Sequence, residues 1–199
     1  MSEIKSSRLT KKGIETKRRI LTTAEQVFGE KGYYETSVAE ITLRTGVAQG
    51  TFYNYFPTKK AVFDELIYQL SSDLRFAIKE AMEEQEGFEE KQRAGYHAFF
   101  KWVLDHRNLY SVVQQLVLVD PSLYRWYYEK LADGFIKSIE TAIDGGDCKP
   151  LLPETIAYSM MGIGQFIGMR WVLWENELVP DDVFDEVMEV IFHGINGRG

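Results

Sequence analysis

Apolar residues recur along this chain with the spacing of amphipathic helices, and no segment shows the alternation typical of a β-strand. In residues 15–31 and 59–84 they return every three or four positions, which places them on one face of a helix. Similar stripes run through residues 88–106, 109–118, 121–143, 153–175 and 180–195. With two short helices in residues 37–55, the pattern predicts an all-α protein of about nine helices.

Two short helices joined by a tight turn are predicted between Ser37 and Tyr55. Ser37 and Glu40 have the spacing of a capping box, in which each side chain accepts a backbone N–H at the helix start. Gly46 stands where a helix end requires a left-handed residue. We therefore expect a sharp turn before the second short helix, which covers about residues 49–55.

The second short helix has one aromatic face and one polar face. Phe52, Tyr55 and Phe56 share the aromatic face, which has to be buried because so short a helix is unstable alone. The opposite face is polar and uncharged, and its members are Gln49, Gly50, Thr51, Tyr53 and Asn54. Two helices joined by a glycine-containing turn form the helix-turn-helix unit, whose second helix enters the DNA major groove.

Two lysines open the long helix that follows. Thr58 is its predicted N-cap, so Lys59 and Lys60 lie in its first turn. Positive charge there is unfavourable by roughly 0.3–1 kcal/mol for each residue. The arrangement is explained if an anion binds at this helix start, and a DNA phosphate is the natural candidate.

Residues 16–63 resemble the N-terminal domain of the tetracycline-repressor (TetR) family of bacterial transcription regulators. The resemblance is carried by Ile20, Ala24, Phe28, Gly32, Thr36, Ile41, Gly46, Val47, the run Gly-Thr-Phe-Tyr-Asn-Tyr-Phe at 50–56, and Lys59. It implies base contacts from Gln49, Gly50, Thr51 and Asn54, and phosphate contacts from Ser37, Arg44, Tyr53, Tyr55, Lys59 and Lys60. Family members often carry a serine at the position of Ala48, so the missing cap is expected to cost about 1 kcal/mol of local helix stability.

Charge is distributed unevenly over the 199 residues, whose net charge is −7. Residues 1–60 hold 11 Lys and Arg against 6 Asp and Glu, a net of +5, whereas residues 61–199 hold 12 against 24, a net of −12. Such asymmetry favours a basic module that contacts nucleic acid and an acidic body that does not. The alternative is chance segregation of charge on solvated surfaces.

Three segments are expected: a flexible basic arm in residues 1–14, a helix-turn-helix DNA-binding domain in 15–60, and an effector-binding and dimerisation domain in 61–199. The arm either has no role or reaches neighbouring phosphates or a minor groove. The sequence shows neither a signal peptide nor an apolar run of about 18 residues, and its only cysteine is Cys148. We therefore expect a cytoplasmic protein without a membrane partner.

The body is rich in large aromatic side chains, which form either a plain core or the wall of a ligand cavity. The family resemblance implies a small effector between the middle helices, whose binding moves the helix at 59–84 and weakens the hold on DNA. The expected lining is Phe99, Trp102, Val103, Tyr110, Val113, Tyr127, Tyr128, Phe135, Met160, Phe166 and Trp171. The Tyr- and Trp-rich body around the stretch from His106 to Tyr110 resembles family members that sense acyl-CoA thioesters or other lipophilic molecules. Nearby arginines bind a ligand carboxylate or phosphate, or form ion pairs: Arg107, Arg125 and Arg170.

The resemblance also places the last two helices at the interface of a homodimer. Gly164 and Gly168 share one helix face. Glycine inside a helix is unfavourable, and either the close approach of another helix or space for a ligand would explain these two. The final helix offers an apolar stripe for the interface, made of Phe184, Val187, Met188, Ile191 and Ile195. The alternative is that this stripe packs within its own subunit.

The preferred hypothesis is a ligand-responsive, homodimeric repressor that binds a near-palindromic double-stranded DNA operator. No catalytic site, cofactor or metal site is expected, because the three histidines lack partners at ligand spacing and Cys148 has no nearby histidine in the sequence. One alternative is an all-helical carrier or enzyme whose helix-turn-helix is structural only. Another is an activator or a silencing partner without an effector.

Overall fold

The computed structural model describes residues 10–195, apart from the side chain of Leu109. Helices account for most of these residues and no strand occurs among them, so the all-α prediction is confirmed. The elements are α1 (Lys11–Glu35), α2 (Val38–Thr45), α3 (Gln49–Tyr53), α4 (Lys59–Glu83), α5 (Phe88–Asp105), α6 (Arg107–Val119), α7 (Pro121–Gly145), α8 (Pro153–Gly168), a π-helical turn (Met169–Glu175) and α9 (Asp181–His193).

Helix α1 begins four residues earlier than the sequence pattern predicts. The Thr10 hydroxyl accepts a hydrogen bond from the backbone N–H of Gly13 at 3.1 Å and caps the helix. Residues 11–14 of the expected arm are therefore helical, while residues 1–9 lie outside the described part of the chain. Near the other end, Gly32 interrupts the helical backbone with φ of 83°.

The segment predicted as one helix over residues 153–175 is divided in two. Helix α8 ends at Gly168, and the chain continues as a π-helical turn until Asn176 adopts a left-handed conformation. The Arg107 side chain of α6 donates to the backbone oxygen of Leu173 at 2.7 Å. One carbonyl group of the π-helical turn is therefore hydrogen-bonded by a side chain from another helix. Helices α2 to α7 and α9 begin and end within two residues of their predicted bounds.

One apolar cluster runs from α1 to α9, and α4 belongs to both ends of it. In the head, formed by α1, α2 and α3, Phe28 packs edge-on against Phe63 of α4 with ring centroids 5.3 Å apart. Further along, α4 packs against α5 and α7 of the body, which comprises α5 to α9. Within the described ranges, no helix has the length and apolar character needed to cross a bilayer.

Helix α6 attaches the body to the head by lying along α1. The Gln115 side-chain oxygen accepts from the backbone N–H of Tyr33 at 2.7 Å. The Tyr34 hydroxyl donates to the backbone oxygen of Leu118 at 3.0 Å. A change in the position of α6 therefore acts directly on the first helix of the head.

Candidate DNA-binding surface and internal cavity

The turn between α2 and α3 has the geometry of a helix-turn-helix. Gly46 ends α2 with φ of 73°, and its N–H bonds to the carbonyl oxygens of Thr42 and Leu43. The Ser37 hydroxyl caps α2 by accepting from the N–H of Glu40 at 3.1 Å. The reciprocal half of the predicted capping box is wrong, because the Glu40 carboxylate instead pairs with basic side chains.

Helix α3 divides its residues between the core and the surface as its periodicity predicts. Phe52 is fully buried, and Phe56, just beyond the helix, is buried beside it. The exposed side consists of Gln49, Gly50, Tyr53 and Asn54, with Thr51 half-buried beside them. A Cβ atom on Gly50 would meet nothing within 4 Å, so another surface can approach the backbone closely there. Tyr55, in contrast, is half-buried against the apolar cluster.

Lys59 does not present its charge to the surface as expected. Its ammonium donates to three backbone oxygens, those of Tyr33 at 2.7 Å, Tyr34 at 3.3 Å and Thr36 at 2.8 Å. Its Nζ atom also lies 4.4 Å from the centre of the Tyr33 ring. Burial lowers the pKa of Lys59, an effect that the charge of Glu35 opposes. Because an ammonium has three N–H donors, this side chain has none left for a phosphate.

Two other predicted phosphate ligands also form intramolecular ion pairs. Lys60 contacts the carboxylates of Asp64 and Asp120, the latter at 2.7 Å, and so joins the start of α4 to the start of α7. Arg44 pairs with Glu30 at 2.7 Å and with Glu40 at 2.9 Å. Their charges are therefore already compensated within the chain, and the phosphate contacts expected of these two cations stay a prediction.

Arg19 has a place at the turn that the sequence reading missed. Its guanidinium donates to the backbone oxygen of Thr45, the residue before Gly46. This contact fixes α1 against the turn that orients α3. The basic run at residues 17–19 was visible in the sequence, but the separation of 26 positions between Arg19 and Thr45 concealed the contact.

A cavity of about 830 Å³, partly open to solvent, lies in the body between α4, α5, α6, α7 and α8. Five of the residues predicted to line a cavity do so: Phe99, Tyr110, Tyr127, Tyr128 and Phe135. The remaining wall includes Ile78 and Met82 of α4, the helix that continues into the head. A molecule in this cavity would therefore contact the element shared by head and body.

Three predicted lining residues belong to the solid core. Val103 and Val113 are fully buried and do not line the cavity. Met160 is also buried, and its backbone oxygen accepts from the Tyr96 hydroxyl at 2.7 Å. The neighbouring Met161 lines the cavity instead, because successive residues of a helix point in directions about 100° apart.

Three further predicted lining residues lie away from the cavity. Trp102 borders a shallow groove on the other side of the α4–α5 pair. Phe166 is 66 % exposed on the outer face of α8. The Trp171 ring lies beneath the guanidinium of Arg170, 4.8 Å from its centre.

The arginines proposed as ligands for an anionic effector are used within the chain. Arg125 pairs with Glu129, and Arg170 pairs with Glu175. Arg107 bonds to the π-helical turn described above. None of the three lines the cavity.

The cavity has a basic rim and a buried, hydroxyl-rich inner end. Side chains of both charges lie at the rim, and lysines outnumber carboxylates: Lys79, Lys91, Lys130 and Lys137 against Glu83 and Asp133. Within residues 10–195, no carboxylate lies within 4 Å of Lys91 or Lys137, whereas Lys79 and Lys130 pair with Glu83 and Asp133. The rim therefore favours an anionic group, while the apolar walls favour a hydrocarbon.

The two glycines expected at a dimer interface face the interior of their own subunit. A Cβ atom on Gly164 would lie 2.8 Å from the Tyr96 ring, and one on Gly168 would lie 3.3 Å from the Phe99 ring. Both positions are therefore needed for close approach of α8 to α5. Their predicted place at the dimer interface is wrong.

The apolar stripe of α9 also packs within its own subunit. Phe184, which is 2 % exposed, stacks on His97 with ring centres 3.7 Å apart. Val187 and Met188 are buried as well, and Ile191 is half-buried against the apolar cluster. Only Ile195 is exposed, just beyond the end of the helix. Four of the five stripe residues therefore pack within their own subunit, which is the alternative that the sequence left open.

Comparison with known proteins agrees with this geometry. Residues 20–66 match the family model described as bacterial regulatory proteins, tetR family. Over 85% of its length the chain is 27% identical to YhgD, an uncharacterized HTH-type transcriptional regulator of Bacillus subtilis (strain 168), of which the match covers 89%.

Solved structures share the fold over nearly the whole chain. The fatty acid degradation regulator FadR from Bacillus halodurans superposes with a TM-score of 0.81 at 22% identity, covering 92% of this chain and 97% of that one. The transcriptional regulator FadR from Bacillus subtilis, solved in complex with stearoyl-CoA, gives a TM-score of 0.77 at 20% identity and covers 90% and 99%. The helix-turn-helix geometry, the family match and the shared fold agree, and they identify residues 20–66 as a domain of the tetR family of bacterial regulatory proteins.

Proposed function

We propose that this chain is a homodimeric transcriptional repressor that leaves a near-palindromic operator when an acyl-CoA thioester binds in its body. The observation that carries the effector assignment is the cavity of about 830 Å³, which combines apolar walls with a basic rim. An acyl-CoA has the matching chemistry, since its acyl group is apolar and its phosphates are anionic. The similar fold of a regulator solved with stearoyl-CoA supports the same class of ligand.

Contacts between the cavity and the head provide a route from effector to DNA. Helix α4 lines the cavity with Ile78 and Met82, and its first turn is joined to α7 through Lys60 and Asp120. Helix α6 contributes Tyr110 to the cavity and lies along α1. A ligand that favours a second arrangement of these helices would change operator affinity by about 5–150-fold, the usual range of such coupling.

The dimer interface that we now propose uses the outer face of α8 rather than the stripe of α9. Tyr158 and Phe166 are 43 % and 66 % exposed there, and Gly162 between them has open space where a Cβ would be. Trp174 of the π-helical turn and Val190 of α9 add exposed apolar area. A second copy of the chain on this face would bring two α3 helices to successive major grooves, about 34–36 Å apart. The protein would act on the chromosome, in the cytoplasm, by binding rather than by catalysis.

Acyl-CoA esters are expected to release the protein from DNA. The operator is first identified by unbiased selection of binding sites and is then labelled. The measurement is the affinity of the protein for this operator in the presence of hexanoyl-, lauroyl- or stearoyl-CoA. We expect at least one ester to weaken binding by about fivefold or more, and free CoA to have no effect. The double substitution Lys91→Gln and Lys137→Gln should reduce the effect, because it removes the unpaired charge of the rim.

The matched control for the rim is Lys149→Gln, which lies in the loop between α7 and α8 and outside the cavity. It should leave the response to the esters unchanged. No release by these three esters or by CoA esters whose acyl group carries an oxygen would refute the proposed effector class. Failure to select any DNA site, together with turnover of a bound metabolite, would favour a carrier or an enzyme instead.

Side chains on the exposed face of α3 are expected to determine which operator bases are preferred. Gln49→Ala should relax the preference at one position of each half-site and weaken the best site by about 1–3 kcal/mol, because a side-chain amide reads base edges in the major groove. The salt dependence of binding should not change, since no phosphate contact is lost.

The measurement for this prediction is parallel site selection with both proteins at one salt concentration. Gln69→Ala, an exposed glutamine on α4, is the matched control and should keep the original preference. An unchanged preference for Gln49→Ala would show that this side chain does not read bases.

A further inference from the structure

One part of the cavity wall is polar, although two of its residues are almost fully buried. We call the tyrosine cluster the group of Tyr110, Tyr127, Tyr128 and Gln165, all of which line the cavity. Tyr110 and Tyr127 are only 1 % and 2 % exposed, whereas the rim lysines are exposed or half-buried. The part of a ligand that reaches these residues therefore meets hydroxyl and amide groups rather than a purely apolar wall.

Hydrogen bonds within the tyrosine cluster leave donors without a partner. The Gln165 side-chain oxygen accepts from Tyr110 at 2.5 Å and from Tyr128 at 3.4 Å. In the described part of the chain, neither the Gln165 amide nitrogen nor the Tyr127 hydroxyl has a partner, and both residues line the cavity. A ligand that covers these donors without offering an acceptor costs free energy, so a ligand that carries an acceptor is favoured at this place.

The protonation state of the cluster fits the same role. Burial raises the pKa of Tyr110, Tyr127 and Tyr128 well above the ordinary value for a tyrosine. The three side chains are therefore neutral phenols at physiological pH, and each retains a proton to donate. No charge on a ligand is needed to keep these phenols protonated.

Arg75 adds a cation beside the cluster. Its Nε donates to the backbone oxygen of Ser71 at 3.0 Å, and no carboxylate among residues 10–195 forms an ion pair with it. It lines the cavity, and its charge opposes the rise that burial causes in the pKa of Tyr127. Together the guanidinium, the amide N–H and the phenol form a set of donors that suits an oxygen with partial or full negative charge.

We propose that the acyl group of the effector carries an oxygen acceptor, such as a hydroxyl, a carbonyl or a carboxylate, at the end that reaches Tyr127 and Gln165. This inference rests on the proposed acyl-CoA function and narrows it to oxygen-bearing acyl groups. A plain alkyl end would displace water from the cluster and leave the donors unpaired, which disfavours saturated chains. The walls before the cluster, including Ile78, Phe99 and Leu131, remain suited to hydrocarbon.

The test compares three CoA esters of equal chain length: hexanoyl-CoA, its ω-hydroxy derivative and adipoyl-CoA. Their affinities for the full-length protein are measured by isothermal titration calorimetry. We expect at least one of the two oxygen-bearing esters to bind about tenfold more tightly than hexanoyl-CoA, or better. Gln165→Leu and Tyr127→Phe should remove most of this preference, with little change in the affinity for hexanoyl-CoA.

Matched controls are Gln69→Leu and Tyr68→Phe, which replace residues of α4 outside the cavity and should keep the preference. Thermal unfolding of every variant checks that it is folded. Equal or tighter binding of hexanoyl-CoA by the unsubstituted protein would overturn the inference. So would an equal loss of all three esters in Gln165→Leu, because the cluster would then bind the thioester oxygen that they share. If no CoA ester binds at all, the proposed effector class fails as well.

Discussion

Replacing Lys59 with methionine is expected to lower the free energy of unfolding by about 1–3 kcal/mol and to leave the salt dependence of DNA binding unchanged. The ammonium of Lys59 bonds to the backbone oxygens of Tyr33, Tyr34 and Thr36, where α1 ends and the chain turns toward α2. Methionine has a similar length but no donor, so these oxygens lose their partner. Burial lowers the pKa of Lys59, which means that removing its charge offsets part of the loss.

Urea denaturation measures the stability, and operator affinity at several salt concentrations measures the number of phosphate contacts. Lys79→Met is the matched control, because the Lys79 side chain is 73% exposed and should contribute little to stability. If Lys59→Met kept full stability but reduced the salt slope by about one contact per subunit, Lys59 would bind phosphate after all.

The local features of the helix-turn-helix could be predicted because each depends on a few neighbouring residues. The Ser37 cap, the left-handed Gly46 and the burial of Phe52 follow from short-range rules about helix ends and helix faces. The early start of α1 was missed for a related reason. Thr10 is an ordinary N-cap, but the apolar stripe begins only at Ile20, so the first two turns of the helix give no periodic signal.

The roles of charged residues could not be predicted in the same way, because their partners lie far along the chain. Lys59 is 23–26 residues from its three acceptors, and Lys60 is 60 residues from Asp120. Two lysines at a helix start do need negative partners, as the helix dipole implies. The dipole does not show whether the partner is a DNA phosphate, a backbone oxygen or a carboxylate of the same protein.

The cavity was predicted as a feature of the body, yet only five of the eleven residues that were predicted to line it do so. Helical periodicity shows that a residue is apolar and faces inward, but a filled core and a cavity wall have the same pattern. Met160 and Met161 illustrate the limit, since adjacent positions point to different surroundings. Gly164 and Gly168 show a second limit, because close approach to α5 and close approach to another subunit require the same small residues.

Gly29→Ala is expected to destabilise the protein by about 1–2 kcal/mol, although alanine favours helices by about 1 kcal/mol over glycine. A Cβ atom on Gly29 would lie 2.5 Å from the Cβ and 2.9 Å from the Cα of Asn108. The backbone of α6 has to shift, because the clash involves the Cα and Cβ atoms of Asn108 and not only the end of its flexible side chain. Urea denaturation measures the change against the unsubstituted protein.

Gly134→Ala is the matched control for stability alone, because that helical glycine has nothing within 4 Å of a Cβ position but lines the cavity. It should stabilise the protein by about 0.5–1 kcal/mol, so the same substitution is expected to have opposite signs at the two sites. Gly29→Ala should also weaken the release of DNA by CoA esters. Asn108 lies two residues from Tyr110 on α6, so this helix joins the cavity to α1, and loosening the contact uncouples the two. Unchanged stability together with an unchanged response would exclude the α1–α6 contact from the coupling route.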